Sequence, residues 1–247
     1  MKKLFLTVTS LFFFIITYGQ KTELSVSLNS GLFSFAGESS APTSFINFND
    51  QTNSGYTNNP YGSKNGICYG LSGNIKRVST QNFIFGLDLG YEMLRSKVSI
   101  NKISGFTGTS TYEYDASGQT FLNTDFINLN PFIGYRIPVK QVNVDVTGGL
   151  DFGYNLRTHE NGDATAINGT KYETSADRRT IKWDIRPRVQ ISASYKKLGV
   201  YIGYSFGLSN YVNDYNEGTD YYEGTNHEGT NEAYSRIFRF GMTYQIK

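Results

Sequence analysis

From Val142 to Leu156 apolar and polar side chains alternate without a break. The even positions (Val142, Val144, Val146, Gly148, Leu150, Phe152, Tyr154, Leu156) are apolar or glycine, and the odd ones (Asn143, Asp145, Thr147, Gly149, Asp151, Gly153, Asn155) polar or glycine. A period of two describes a β-strand with one greasy and one wet face. Strands of soluble proteins usually stop at about 5–6 residues, and this run continues well past that. Length and alternation together predict a transmembrane strand with lipid on one side and a polar lumen on the other.

The same pattern recurs along the chain. A first strand, Thr22 to Ala36, carries Leu24, Val26 and Leu28 on one side and then shifts to Leu32, Phe33 and Phe35, which predicts a bulge near Gly31. The second strand shows Ile67, Tyr69, Leu71, Gly73 and Ile75 outward, and the third Phe83, Phe85, Leu87, Leu89, Tyr91 and Met93. The fourth (Leu122 to Ile137), the organising strand, the sixth (Ile181 to Tyr195), the seventh (Leu198 to Leu208) and a closing strand with Phe238, Phe240, Met242, Tyr244 and Ile246 complete the set. Short connections (Lys76 to Asn82, Pro138 to Gln141, Lys196-Lys197) alternate with long polar ones (Gly37 to Gly66, Asn101 to Thr120, Arg157 to Arg178, Ser209 to Ala233), read as loops. Pro131 and Pro187 fall inside strands, where each is expected at a bulge or an unpaired position.

These features predict an all-β fold: a transmembrane antiparallel up-and-down β-barrel of about eight strands, with short periplasmic turns and long extracellular loops. An open sheet edge cannot face lipid, so the sheet must close. An even strand count places both termini in the periplasm.

Composition changes this picture little. The mean hydropathy of −0.38 would suit a soluble protein, but polar lumen residues dilute the average of any barrel. Lys2-Lys3 followed by the apolar run Leu4 to Tyr18 and small Gly19 reads as a secretory signal peptide spanning 1–19. The run falls short of the ~20 residues of a spanning helix. The single mature domain is then 20–247. Without Lys2 and Lys3 the chain holds 21 basic and 21 acidic residues, and no basic surplus suggests a nucleic-acid partner. Cys68 is the one cysteine, which excludes an intramolecular disulfide and reads as a packed thiol.

The segments Asn130-Pro131-Phe132-Ile133-Gly134-Tyr135-Arg136 and Gly148-Gly149-Leu150-Asp151 resemble the mid-barrel strands of the small outer-membrane β-barrel family common in Bacteroidota, where a strand proline recurs. Tyr18-Gly19-Gln20 is similar to signal-peptide ends of that phylum, and the closing strand with Tyr244 and Ile246 resembles the signal read by barrel-assembly machinery. The resemblance covers the mature chain. It implies the fold and an outer-membrane location in a Gram-negative bacterium, and the family has no shared activity to carry over.

Candidate chemistry divides into three places. The lumen faces hold Arg136, Lys182, Arg186, Arg188 and Arg239 against Asp88, Glu92, Asp145, Asp151 and Asp184. An eight-stranded barrel is just wide enough for side chains to fill it, so balanced charges should pair into a plug rather than line a pathway. The fourth long connection repeats Glu-Gly-Thr three times and is acidic. It offers Tyr215, Glu217, Asp220, Tyr221, Tyr222, Glu223, His227 and Glu228 as an extracellular binding loop. Its oxygen-rich composition suits Ca²⁺, but the spacing matches no known ligand order, so neither metal nor cofactor is expected. Outward Tyr135, Phe152, Tyr154, Trp183, Tyr195 and Tyr244 read as interfacial girdles.

Both histidines, His159 and His227, fall in connections read as loops, with no nucleophile, base and orienter fixed together. The sequence therefore points to a non-enzymatic binding or structural barrel, or an accessory subunit of an outer-membrane complex. It would work through its loops or lipid face, with the bilayer, lipopolysaccharide and other outer-membrane proteins as partners. An enzyme with a rim site near His159 or His227, and a narrow channel, are the alternatives.

Overall fold

The computed structural model describes residues 21–212 and 232–247; the segment read as a signal peptide lies outside them. The strands are β1 (Lys21–Ala36), β2 (Thr43–Asn49), β3 (Ser54–Thr57), β4 (Lys64–Val78), β5 (Phe83–Phe106), β6 (Thr111–Val139), β7 (Val142–Ala166), β8 (Lys171–Asp177), β9 (Trp183–Tyr195), β10 (Leu198–Phe206) and β11 (Tyr234–Gln245). Among the described residues eight of these close a ring, in the order β1, β4, β5, β6, β7, β9, β10, β11. The ring shuts where β11 pairs antiparallel with β1, from Ser25↔Gln245 to Ala36↔Tyr234. The fold is a transmembrane-type up-and-down β-barrel, and a closed sheet is what a lipid-facing wall requires. Its outer wall exposes Leu28, Leu71, Leu89, Ile133, Val189, Ile202 and Met242.

At one end the hairpins are tight. Val139 pairs with Val142 and Tyr195 with Leu198, leaving two-residue turns at Lys140-Gln141 and Lys196-Lys197. Lys140 and Lys196 both take positive φ, 56° and 53°, the twist such hairpins demand.

At the other end three stretches read as loops are strands. β5, β6 and β7 run for 24, 29 and 25 residues. At ~3.3 Å per residue and a tilt of about 40°, a strand of that length rises roughly 60 Å, about twice the ~30 Å hydrocarbon thickness. The excess forms an extension beyond the barrel. β2 pairs parallel to the upper part of β5, β3 pairs with β2, and β8 pairs with the upper part of β7. Ile46, Val98, Ile100, Ile103, Ala164, Ala166 and Tyr172 fill its interior as a second apolar core. The polar, Gly-rich composition of these stretches hid that core, because only alternate residues contribute to it.

The bulge expected at Gly31 is absent. β1 stays in unbroken register with both neighbours, and odd positions point inward throughout, from Glu23 and Ser27 to Phe33 and Phe35. What changes is the chemistry of the interior, which turns from polar to aromatic toward the extension. Pro131 lies in an interruption of the β6–β7 ladder, between Leu129↔Phe152 and Phe132↔Gly149. Pro187 lies just beyond the last β9–β10 pair, Ser205↔Arg188. In both places the missing N–H breaks no ladder bond.

Candidate functional site

The lumen is built in layers. Nearest the tight turns, Arg136 sits between two carboxylates: Nη1 and Nη2 donate to Glu23 at 2.8 and 2.9 Å, and Nε donates to Asp145 Oδ1 at 2.7 Å. Lys76 Nζ adds a 2.7 Å bond to Asp145 and lies 3.5 Å from Glu23. Two acids and two bases close the mouth with no net charge. The sequence pattern does not single out Glu23 or Lys76, although Glu23 shares the inward phase of Ser25 and Ser27; of the connection expected from Lys76 to Asn82, the residues Lys76 to Val78 are the end of β4.

Midway along the barrel a larger cluster gathers three arginines and four carboxylates. Arg186, fully buried, reaches Glu92 and lies 3.4 Å from Asp184 and 3.8 Å from Asp151. Arg239 Nη2 meets Glu92 at 2.9 Å and Asp151 at 3.2 Å, and Arg188 bridges Asp151 at 3.5 Å and Asp88 at 3.6 Å. Tyr211 and Ser235 donate hydroxyls to Asp184 at 2.6 and 3.0 Å. Charges removed from water are tolerable only when paired and hydrogen-bonded in this way. Between the two layers lies a polar chamber of about 60 Å³, lined by Ser25, Ser27, Asn130, Gln190, Ser192 and Tyr201 among others. Such a space suits water molecules rather than a solute.

Lys182 does not belong to this network. β9 starts only at Trp183, and just before it Ile181 turns into the apolar core, its carbonyl accepting from Asn155 Nδ2 at 3.0 Å. The alternation therefore does not extend to it: Lys182 is exposed and Ile181 is buried. The other predicted lumen charges all point inward.

Above the charges an apolar plug seals the lumen. Phe33, Phe35, Leu94, Leu122, Phe126, Ile181, Tyr211 and Ile237 pack together with Tyr61 and Cys68. Phe35 stacks edge-on against Tyr211 at 4.8 Å and Tyr61 at 5.2 Å, and Tyr61 donates its hydroxyl to the Tyr211 carbonyl at 3.1 Å. Arg186 lies over the Phe126 ring at 5.3 Å, joining the charge cluster to the plug.

The predicted girdle residues all lie outward, Phe152 half-buried and Tyr135, Tyr154, Trp183, Tyr195 and Tyr244 exposed. Tyr154 and Trp183 pack at 5.0 Å. The acidic binding loop and its residues Tyr215, Glu217, Asp220, Tyr221, Tyr222, Glu223, His227 and Glu228 lie outside the described residues.

His159 is not a loop residue but a member of β7. The β6–β7 register slips between Asp125↔Arg157 and Phe126↔Asn155, so Leu156 is an extra residue. Both Leu156 and Arg157 point outward, and the phase of β7 inverts beyond them. Glu160 consequently turns inward, where its carboxylate accepts the Thr57 N–H and lies 2.6 Å from Arg178 Nε. His159 turns outward to face its register partner Asp177, with Nδ1 2.7 Å from Oδ1. Arg157 Nη2 approaches the same carboxylate at 2.8 Å, and Ser175 Oγ lies 3.5 Å from His159 Nε2. The Arg157 and His159 hydrogen bonds hold the Asp177 carboxyl below the usual aspartate range. Among the described residues no group of three or more His, Cys, Asp or Glu side chains forms a metal-binding cluster.

A family model described as outer membrane protein beta-barrel domain matches residues 19–213. No curated protein sequence matches the chain. Among solved structures it is similar to Ail, the attachment invasion locus protein of Yersinia pestis, crystallised with the heparin analogue sucrose octasulfate. Identity there is 8%, coverage 93% of this chain and 100% of that one, and the TM-score 0.33. It is also similar to the outer membrane protease OmpT from Escherichia coli, at 13% identity, 94% and 98% coverage and a TM-score of 0.36.

Proposed function

Because the chain belongs to the outer membrane protein beta-barrel domain family, we propose that it is a surface-acting barrel: a closed scaffold that holds an ordered extension outside the cell for binding or structural contact. Family membership puts it in the outer membrane. The observation that carries the reading is the pairing of a filled lumen with a folded extension. Among the described residues the charge layers and the aromatic plug fill the lumen, while the extension has its own apolar core and a buried ion pair. A channel would call for a wider bore or a lining of one sign.

In this proposal both termini and the tight turns are periplasmic, 1–19 is a signal peptide removed on export, and the source is a member of the Bacteroidota. Outer-leaflet lipopolysaccharide surrounds the extension, and other outer-membrane proteins are its candidate partners in a larger complex. The lumen acids and arginines play no part in chemistry. The alternative of a rim enzyme draws support from one observation, the meeting of His159 with Asp177 and Ser175.

The test is mild-detergent purification of the tagged protein from native outer membranes, alongside a Glu160→Ala, Arg178→Ala variant whose extension is loosened. A stoichiometric partner lost in the variant supports the reading. A partner retained equally by both would locate the contact on the lipid face, and no partner or ligand at all would contradict it.

A further inference from the structure

We propose that the outer face of the extension carries a hydrolytic site, with Ser175 as nucleophile and His159 as general base, acting on acyl esters of surface carbohydrate. The inference takes up the rim-enzyme alternative, and it rests on the surface-acting reading for the place of the extension outside the cell.

The residues stand in the order acyl transfer requires. A carboxylate only accepts hydrogen bonds, so the 2.7 Å contact with Asp177 favours the ring proton on Nδ1 over the longer, 3.3 Å approach of the Arg157 Nη2 donor to the same nitrogen. The lone pair of Nε2 is thereby left facing Ser175 Oγ at 3.5 Å, a separation typical of a base and nucleophile before substrate draws them together. Asp177 is the positioning residue: it sets tautomer and ring orientation and stabilises the imidazolium when it forms. Asn161 is the register partner of Ser175. Its Oδ1 accepts from Asn123 Nδ2 at 2.7 Å, which leaves its own NH₂ to donate to a developing oxyanion on that row.

Place and surroundings set the substrate. Along a tilted strand at ~3.3 Å per residue, the site lies about 10–15 Å beyond the Tyr154–Trp183 pair, above the lipid and level with sugar headgroups. Arg95 bonds Asn123 at 2.7 Å and lies over the Phe121 ring at 5.4 Å. Planar amides, a guanidinium and a ring on a flat sheet suit sugar hydroxyls and sugar faces. A solvated face with one side-chain oxyanion donor does not supply what amide cleavage needs, whereas an ester releases an alcohol with little help.

In the reaction Ser175 Oγ bonds to the acyl carbon as its proton passes to Nε2 of His159. The acyl C–O bond breaks and His159 gives that proton to the departing sugar oxygen. Water then adds its oxygen to the acyl carbon and a proton to Nε2. The bond to Oγ breaks, Oγ recovers the proton, and a carboxylic acid leaves.

The test treats the full-length mature protein in detergent micelles with a biotinylated fluorophosphonate, maps the adduct by mass spectrometry, and follows acetate release from p-nitrophenyl acetate and acetylated xylan. The expected result is a single adduct on Ser175, with hydrolysis reduced roughly 10²–10⁴-fold by Ser175→Ala and by His159→Gln. Asp177→Asn should also shift the pH–rate profile. Absence of an adduct on Ser175 in the wild-type protein overturns the proposal without recourse to any variant. So does an adduct that persists in His159→Gln, which would mark a merely exposed serine. A protein that keeps a stoichiometric partner but resists the phosphonate leaves the surface-acting reading standing and overturns the hydrolytic one.

Discussion

Glu160 and Arg178 meet inside the extension, Oε2 2.6 Å from Nε, and between them they hold the backbone of Thr57 at both its N–H and its carbonyl. β3 reaches β7 and β8 through this contact, so one ion pair fastens the β2–β3 excursion to the far side of the extension. Removing one partner of a buried pair typically costs about 3–5 kcal/mol, whereas replacing both by apolar groups is often neutral. Glu160→Ala should therefore free β2–β3 while the barrel stays folded, seen as new proteolytic cleavage between residues 50 and 60. Glu160→Leu combined with Arg178→Met should restore much of the protection.

Leu156 is the extra residue of the β6–β7 bulge, and the ladder on either side of it is in phase without it. Deleting it makes Arg157 follow Asn155 directly, so β7 alternates without interruption while His159 stays outward and Glu160 inward. The deletion should therefore preserve both the protease resistance of the extension and the heat-dependent gel mobility of the barrel. Loss of the protease resistance with the barrel intact would contradict this register.

Arg186 faces Glu92, Asp151 and Asp184 with no access to water. Arg186→Met would strand carboxylates in a dry interior, an effect of about 3–5 kcal/mol, and should lower the urea midpoint of unfolding markedly. In planar bilayers the wild-type protein should show no stepwise conductance. Truncating the plug with Phe35→Ala, Phe126→Ala and Tyr211→Ala together should leave the bilayer without steps, because the two charge layers still fill the lumen.

Asp177 supplies a pH dependence with a definite sign. Its carboxyl titrates below the ordinary aspartate value of 3.8 because Arg157 and then His159 hydrogen-bond its charged form. A folded-state value lower than the unfolded one contributes stability that is present above the unfolded value and lost as pH falls through the folded one. Amide hydrogen exchange in β8 should thus accelerate below about pH 4, with central barrel strands unaffected. Asp177→Asn should remove the dependence. The group is exposed, so the change is local and weakens with salt.

Much of the architecture was legible because lipid and lumen impose a strict period of two, which Val142 to Tyr154 shows plainly. What escaped notice lies where that rule lapses. The extension alternates polar residues outside with small or isolated apolar ones inside, such as Ala164 and Ala166, and so reads as loop. Leu156 carries no mark of being an inserted residue, and the inversion it causes moves His159 from an unremarkable position to a contact with Asp177. Phe33 and Phe35 imply a change of phase only where the interior is taken as polar; they keep the phase and form the plug. Lys182 was placed in the lumen by extending the alternation past the end of β9. Ser175 and Asp177 meet His159 only through cross-strand register, which a single sequence does not display.

We propose that the extension stands outside the cell on a closed barrel. Ile167, 82% exposed at the β7–β8 turn, offers the most direct test, since the native Cys68 is buried. Ile167→Cys should react with a membrane-impermeant maleimide on intact cells, while Gln141→Cys at a tight turn should react only after the outer membrane is permeabilised. The reverse pattern would place the extension in the periplasm and overturn its assignment to the cell surface.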